Sequence, residues 1–194
     1  MPLAVAWQLQ ESFLMTIITR CENKMYEDTK ANEKKLHKKI ISMLVEDQPG
    51  VLARIAGMFA RRGFNIDTIT VGKTTKKGIS KMVFTVIGDD RTMEQVEKQV
   101  NKLIDTIKVT ELPENKSVVR ELCLIKVTVS NKKAKEEILR YAKIFKTKIV
   151  DITPNSVSAE IVGTPDKIQS FIDLMIPFGV KEISRTGVTA ISRG

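Results

Sequence analysis

The chain has few of the residues that enzyme chemistry usually needs. Among its 194 residues there is one histidine, His37, and two cysteines, Cys21 and Cys123, which show neither a CxxC nor a metal-ligand spacing. These counts argue against a His-based metal centre and against Ser-His-Asp or Cys-His catalysis. The phosphate-binding patterns GxGxxG and GxxxxGK[ST] are also absent. The composition therefore favours a protein without catalytic chemistry of its own.

Long apolar runs and aromatic residues are scarce as well. No stretch approaches eighteen uninterrupted apolar residues, so we expect no membrane span. The apolar N-terminal stretch has no basic region before it, which argues against a signal peptide. Aromatic residues make up 5% of the chain and hydrophobic residues 42%, so the cores must be aliphatic. Both cysteines fit a reducing cytoplasm, where Cys123 is expected to be buried and unreactive.

Positive charge is in excess. The chain has 32 Lys and Arg against 23 Asp and Glu, for a net charge of +9. Such a charge suits nucleic acid, an anionic membrane or an acidic protein, and it does not choose among them. The lysines lie in short, scattered clusters, which is typical of solvated faces and loops.

From residue 38 onward the hydrophobic pattern switches between periods of two and 3.6 in a repeated order. We predict an α+β fold of two tandem βαββαβ two-layer sandwiches of the ferredoxin-like type. The predicted domains span 37–112 and 121–194, with the polar, Pro-containing stretch 113–120 as their linker. Residues 1–36 form an N-terminal extension, interpreted as helical or disordered, or as the product of a start site upstream of the natural one.

Local details follow from the same pattern. The apolar phase of the second strand shifts, which predicts a bulge near Asp67–Thr68. The second helix is expected to begin at Thr92 in a capping box and to extend its apolar stripe to Ile104. The segment KEISRTGVTAI is interpreted as the closing strand and tail.

The most informative segment, EDQPGVLARIAGMFARRGFN (46–65), joins the first strand to the first helix. Gly50 has no Cβ, so a ligand can approach the backbone closely there. The first N–H groups of the helix, on Gly50, Val51 and Leu52, suit a carboxylate. The Asp47 carboxylate beside them suits an ammonium, and a free amino acid carries both groups. An ordinary turn with an exposed aspartate is the alternative from these residues alone.

The same segment resembles the ACT type of amino-acid-binding domain and, more narrowly, the regulatory (small) subunit of acetolactate synthase. Further segments that carry the resemblance are SKMVFTVIGDD, EQVEKQVNKLIDTIKVTEL, VVRELCLIKV, KIVDITPNS and SRTGVTAISRG. Together they cover roughly residues 37–194, in an order and spacing that make the resemblance specific.

The resemblance implies a homodimer whose ACT domains join edge to edge and bind valine or another branched-chain amino acid at their interface. It also implies a separate large catalytic subunit that holds thiamine diphosphate, magnesium and FAD, with no cofactor in this chain. This chain would activate that transferase and confer feedback inhibition on it in the cytoplasm. The implied effector site has residues from two chains: Asp47, Gly50, Val51 and Leu52 of one, and Asn65 and Ile66 of the other.

The residues alone allow plainer roles at some of these positions. A helix-terminating turn is the alternative for Asn65, and core packing is the alternative for the apolar positions 51, 52 and 66. The residues also leave two other functions open. One is a free-standing ACT sensor or transcription regulator, although no helix-turn-helix segment is evident. The other is a basic nucleic-acid-binding module with the βαββαβ topology of RNA-recognition domains, whose two central strands would need exposed aromatics but offer only Phe84.

Overall fold

The computed structural model describes residues 37–193. The predicted extension over 1–36, with its alternative start sites and Cys21, lies outside the described residues. Within 37–193 the order strand, helix, strand, strand, helix, strand occurs twice, and a further short strand follows. Each half is an antiparallel sheet with two helices packed on one face. The predicted fold class of two tandem ferredoxin-like sandwiches is therefore confirmed.

The first half has the sheet order β2-β3-β1-β4, so β2 and β4 are its edge strands. Its elements are β1 (His37–Glu46), α1 (Val51–Arg62), β2 (Ile66–Lys73), β3 (Ile79–Gly88), α2 (Asp90–Val100) and β4 (Thr106–Glu111).

The second half has the order β6-β7-β5-β8, and β9 pairs with the beginning of the long strand β5. Its elements are β5 (Ser117–Thr128), α3 (Lys132–Ile144), β6 (Lys148–Ile152), β7 (Ser156–Gly163), α4 (Pro165–Met175), β8 (Val180–Arg185) and β9 (Thr189–Ser192). Short 3-10 turns occupy Glu114–Lys116 and Ile176–Phe178.

Each half has its own core between sheet and helices, built from the apolar stripes of the sequence. In the first core the rings of Phe59 on α1 and Phe84 on β3 lie 5.7 Å apart, surrounded by aliphatic side chains. In the second core Phe171 on α4 packs against Phe145, also within an aliphatic shell. Cys123 is fully buried in this core, and burial raises the pKa of its thiol, so it stays protonated and unreactive.

A third, smaller cluster lies on the helix-free face of the first sheet. Val188 and Ala190, which are buried, pack there against residues of the first half: Ile40, Val83 and Leu112. The hydroxyl of Thr70 donates to the carbonyl oxygen of Val188 at 2.9 Å, so the contact is also hydrogen-bonded. The chain's C-terminal segment thus covers part of a sheet face that would otherwise meet water.

Several boundaries differ from the predicted ones. Helix α2 begins at Asp90, two residues before the expected Thr92, because the Asp89 carboxylate caps it by accepting from the N–H of Thr92 at 2.8 Å. The helix ends at Val100, so the prediction that its apolar stripe extends to Ile104 was wrong. Ile104 is 93% exposed in the turn that follows.

The predicted bulge is confirmed, since the β2–β3 register shifts between Ile66 and Thr68. The closing segment forms two strands, because the chain turns at Gly187 with φ +79° between β8 and β9. The stretch predicted as a linker is a 3-10 turn followed by Ser117–Arg120 of β5. Those four residues are extended because β9, distant in sequence, pairs with them.

Candidate functional site

The junction between β1 and α1 is held by two backbone hydrogen bonds to neighbouring loops. The N–H of Asp47 donates to the carbonyl oxygen of Gly78 at 2.8 Å, and that of Glu46 donates to Asp105 at 3.1 Å. Gly50 caps the helix with φ +85°, a left-handed conformation that glycine adopts without strain. The Pro-Gly turn therefore places the start of α1 at a fixed position beside the β2–β3 hairpin.

The start of α1 has free hydrogen-bond donors. No side chain caps it, whereas the side chains of Asp89, Asn131 and Thr164 cap the other three helices of residues 37–193. The N–H of Val51 lies 3.4 Å from the carbonyl oxygen of Gln48, a long hydrogen bond. For the N–H groups of residues 50 and 52 the described chain provides no acceptor. An anion is the natural partner for such donors.

The side chains near the start of α1 differ in whether a ligand could contact them. Asp47 is exposed, and Leu52 is 48% exposed, so both side chains are accessible from solvent. Val51 is only 2% exposed and belongs to the first core, so the plainer role of core packing applies to its side chain. Only its backbone remains for a ligand.

Asn65 and Ile66 lie at the other end of α1, where the chain enters β2. Asn65 is exposed, and Ile66 is partly buried against the first core. Helix α1 has 12 residues and separates them from Gly50 by about 18 Å. One chain thus brings Asp47, Gly50 and Leu52 together but keeps the other two predicted residues apart from them.

An ion pair without a signal in the sequence lies beside Gly50. Arg54, in the second turn of α1, donates from Nε and Nη2 to the two carboxylate oxygens of Asp105, both at 2.7 Å. These hydrogen bonds lower the pKa of the Asp105 carboxyl and raise the pKa of the Arg54 guanidinium. The two residues are 51 positions apart, and no spacing in the sequence signals their contact.

The RNA-binding alternative finds no surface here. Phe84, the one aromatic residue of the two central strands, is fully buried on the helix side of the first sheet. The opposite face, which RNA-recognition domains use, is partly covered by Val188 and Ala190. Among residues 37–193 no group of three or more metal-ligating side chains occurs, and no helix is long and apolar enough to cross a membrane.

Both halves match families of known proteins. Residues 41–108 match the family described as the AHAS small subunit-like ACT domain. Residues 120–194 match the family described as the small subunit of acetolactate synthase.

Individual relatives agree with these matches. A probable acetolactate synthase small subunit of Methanothermobacter thermautotrophicus is 50% identical over 155 residues, 80% of this chain and 92% of its own length. The acetolactate synthase small subunit of Aquifex aeolicus is 48% identical over 81% of this chain and 82% of its own. The crystal structure of the Thermotoga maritima small subunit, 42% identical, has a TM-score of 0.76 over 81% of this chain and 98% of its own. The chain therefore belongs to the family of acetolactate synthase small subunits, regulatory subunits that contain ACT domains.

Proposed function

We propose that this chain binds a branched-chain amino acid, with valine as the first candidate, between two ACT domains of a homodimer. The bound effector then confers feedback inhibition on a large catalytic subunit, which this chain otherwise activates. The uncapped start of α1 carries the proposal: free N–H groups of residues 50 and 52 lie beside the exposed carboxylate of Asp47. The catalytic partner, and not this chain, would hold the thiamine diphosphate, magnesium and FAD of the reaction. Both subunits would act in the cytoplasm.

Each group of the ligand has a matching group in the proposed site. The N–H donors of the helix start bind its carboxylate, and Asp47 binds its ammonium. The half-exposed side chain of Leu52 offers apolar surface to a branched aliphatic side chain. Asn65 of the neighbouring chain closes the site with an exposed amide, and Ile66 adds apolar surface.

Inhibition requires the effector to bind two states of the complex with unequal affinity. A coupling free energy of about 1–3 kcal/mol between effector site and catalytic subunit is typical of such systems. Valine, leucine and isoleucine differ by a methylene or its placement, so the pocket discriminates among them by about 1–3 kcal/mol at most. All three amino acids therefore belong in the assay.

The test combines reconstitution with calorimetry. The chain is mixed with its candidate catalytic subunit, and acetolactate formation is measured with and without each branched-chain amino acid. Gly50→Asp should abolish L-valine binding to the chain, because the new carboxylate occupies the place of the ligand's own. Gly179→Asp is the control, since Gly179 also has a positive φ, +91°, but lies in the second half with only ordinary contacts around it.

Two results would contradict the proposal. One is a binding isotherm for Gly50→Asp that matches the unmodified chain, which would place the effector elsewhere. The other is valine binding with no change in the turnover of the catalytic subunit, which is the behaviour of a free-standing ACT sensor.

A further inference from the structure

The guanidinium of Arg54 has unused hydrogen-bond donors directed at the proposed effector site. A guanidinium carries five N–H donors in a fixed plane, and Asp105 takes one from Nε and one from Nη2. Nη1 lies 3.1 Å from the point that a Cβ on Gly50 would occupy. No acceptor for Nη1 exists within residues 37–193, and the side chain is 47% exposed, so a ligand can reach it.

The second half contains a similar ion pair that differs in this one respect. Arg185 donates from Nε and Nη2 to the carboxylate of the buried Glu121 at 2.7 and 2.9 Å. Its Nη1 donates to the side-chain oxygen of Gln169 at 3.1 Å. Every nitrogen of that guanidinium therefore has a partner within the fold, as a purely structural bridge should. The first half leaves the corresponding nitrogen of Arg54 free beside the glycine.

We propose that Arg54 binds the carboxylate of the effector through Nη1, and that Asp105 positions its guanidinium for this purpose. The inference rests on the proposed function and specifies its chemistry. Asp105 is buried and fixed to β1, since its carbonyl oxygen accepts from the N–H of Glu46. The guanidinium is thereby held in one orientation before the ligand arrives, so little conformational freedom is lost on binding.

The arrangement makes the site selective for a complete amino acid. The ammonium is recognised by Asp47 and the carboxylate by Arg54 together with the helix N–H groups. An amino amide lacks the negative charge that Arg54 binds, and a 2-oxo acid lacks the positive charge that Asp47 binds. Both analogues of the effector should therefore bind much more weakly than the amino acid itself.

The test compares L-valine with L-valinamide by calorimetry on the full chain. Arg54→Gln should weaken L-valine binding about 10- to 100-fold, the range for one hydrogen bond to a charged group. Its affinity for L-valinamide should not fall, so the preference for the acid over the amide shrinks. Arg54→Lys keeps the charge but not the fork, and it should give an intermediate loss. Arg61→Gln, an exposed arginine in the last turn of the same helix, is the matched control.

The outcomes separate this inference from the proposed function. If Arg54→Gln weakens the binding of L-valine and L-valinamide equally, Arg54 only supports the fold. If the affinity for L-valine is unchanged, Arg54 has no role in binding. Either result overturns the inference. If Gly50→Asp abolishes binding while Arg54→Gln retains it, the effector site stands without Arg54. If Arg54→Gln does not fold, the acid-to-amide preference of Arg54→Lys decides. An unmodified chain that binds no branched-chain amino acid overturns both proposals.

Discussion

Three aspartates of the first half have different surroundings and therefore different tasks. Asp67 forms an ion pair with Lys38 at 2.7 Å, and Asp105 forms one with Arg54. Hydrogen bonds from these cations lower the pKa of both carboxyls, because they favour the ionised form. Asp47 has no ion-pair partner in the described part of the chain and remains available to a ligand. Cations of the fold thus hold the first two carboxylates, whereas the third is exposed to solvent.

The lowered pKa values of Asp67 and Asp105 predict a loss of stability in acid. Because both carboxyls bind a proton more readily in the unfolded chain, their stabilising effect is complete above the ordinary aspartate pKa of about 4. It is lost as the pH falls from there through the lowered pKa values of the folded state. Urea unfolding between about pH 7 and pH 3 measures this loss.

Single substitutions assign the acid effect to particular residues. Asp67→Asn should be less stable than the unmodified chain at neutral pH but should lose less stability on acidification. Asp47→Asn is the control, and it should follow the unmodified chain, since Asp47 has no cation partner. Parallel pH curves for Asp67→Asn and the unmodified chain would contradict the assignment.

Helices and strands with local signals were predicted from the sequence, and those with distant causes were not. The Pro-Gly start of α1 and the bulge at Asp67 have their causes within a few neighbouring residues, and both are present. Strand β9 exists because it pairs with Ser117–Arg120, where Ser117 lies opposite Ser192, 75 residues further along the chain. No local pattern in the sequence separates β9 from β8. The start of α2 was misplaced because both Asp89 and Thr92 carry capping side chains.

The candidate site shows the same division. The backbone geometry at Gly50, a left-handed turn without a side-chain cap, was predictable because a glycine after proline marks a turn before the helix. The ion pair of Arg54 and Asp105 was not, because only folding brings α1 next to the loop before β4. The side chain of Val51 was ambiguous in the sequence and proved to be part of the core.

The turn between β8 and β9 determines whether the C-terminal segment can lie on the first sheet. At Gly187 φ is +79°, and an added Cβ would lie 2.9 Å from the Cβ of Thr68 on β2. Thr68 has little freedom to move, because its hydroxyl lies 2.7 Å from that of Thr85 and accepts from the N–H of Val188. A side chain at position 187 therefore strains the backbone and also pushes the segment off the sheet.

Gly187→Ala should consequently cost more stability than a positive φ alone explains. Gly78→Ala is the control, since Gly78 has φ +78° and open space around its missing Cβ. The control should lose about 1–2 kcal/mol of unfolding free energy from the left-handed conformation. Gly187→Ala should lose about 1–3 kcal/mol more from overpacking. Equal losses in urea unfolding would show that the segment accommodates the methyl group.

The two halves of the chain share a fold, but only the second half provides a side-chain partner for the N–H groups at the start of its first helix. In the second half, the side chain of Asn131 caps α3 by accepting from the N–H of Ala134 at 2.8 Å. In the first half, Gly50 has no side chain to do so, and the donors of α1 stay available. A helix start that is left uncapped gives up some stability, which a ligand can restore on binding. If the proposed effector binds these donors, it should stabilise the first half.

The largest consequence of the fold is that two residues of the proposed effector site, Gly50 and Asn65, cannot meet within one chain. Gly50 and Asn65 lie at opposite ends of α1, about 18 Å apart, and β2, which begins just after Asn65, is an edge strand. If the proposed site forms in a symmetric dimer, each site takes Gly50 from one chain and Asn65 from the other, and two identical sites result. Variants of the two residues should then complement each other.

Gly50→Asp and Asn65→Ala chains should each bind valine poorly as pure dimers and regain binding when unfolded and refolded together. On random mixing half of the dimers contain one chain of each kind. Each such dimer has one site with both residues intact and one with both altered, so about a quarter of all sites recover. Calorimetry on the mixed sample, with each variant refolded alone as the control, measures that fraction. If the mixture binds no better than the two variants alone, each site lies within a single chain, and Asn65 takes no part in it across an interface.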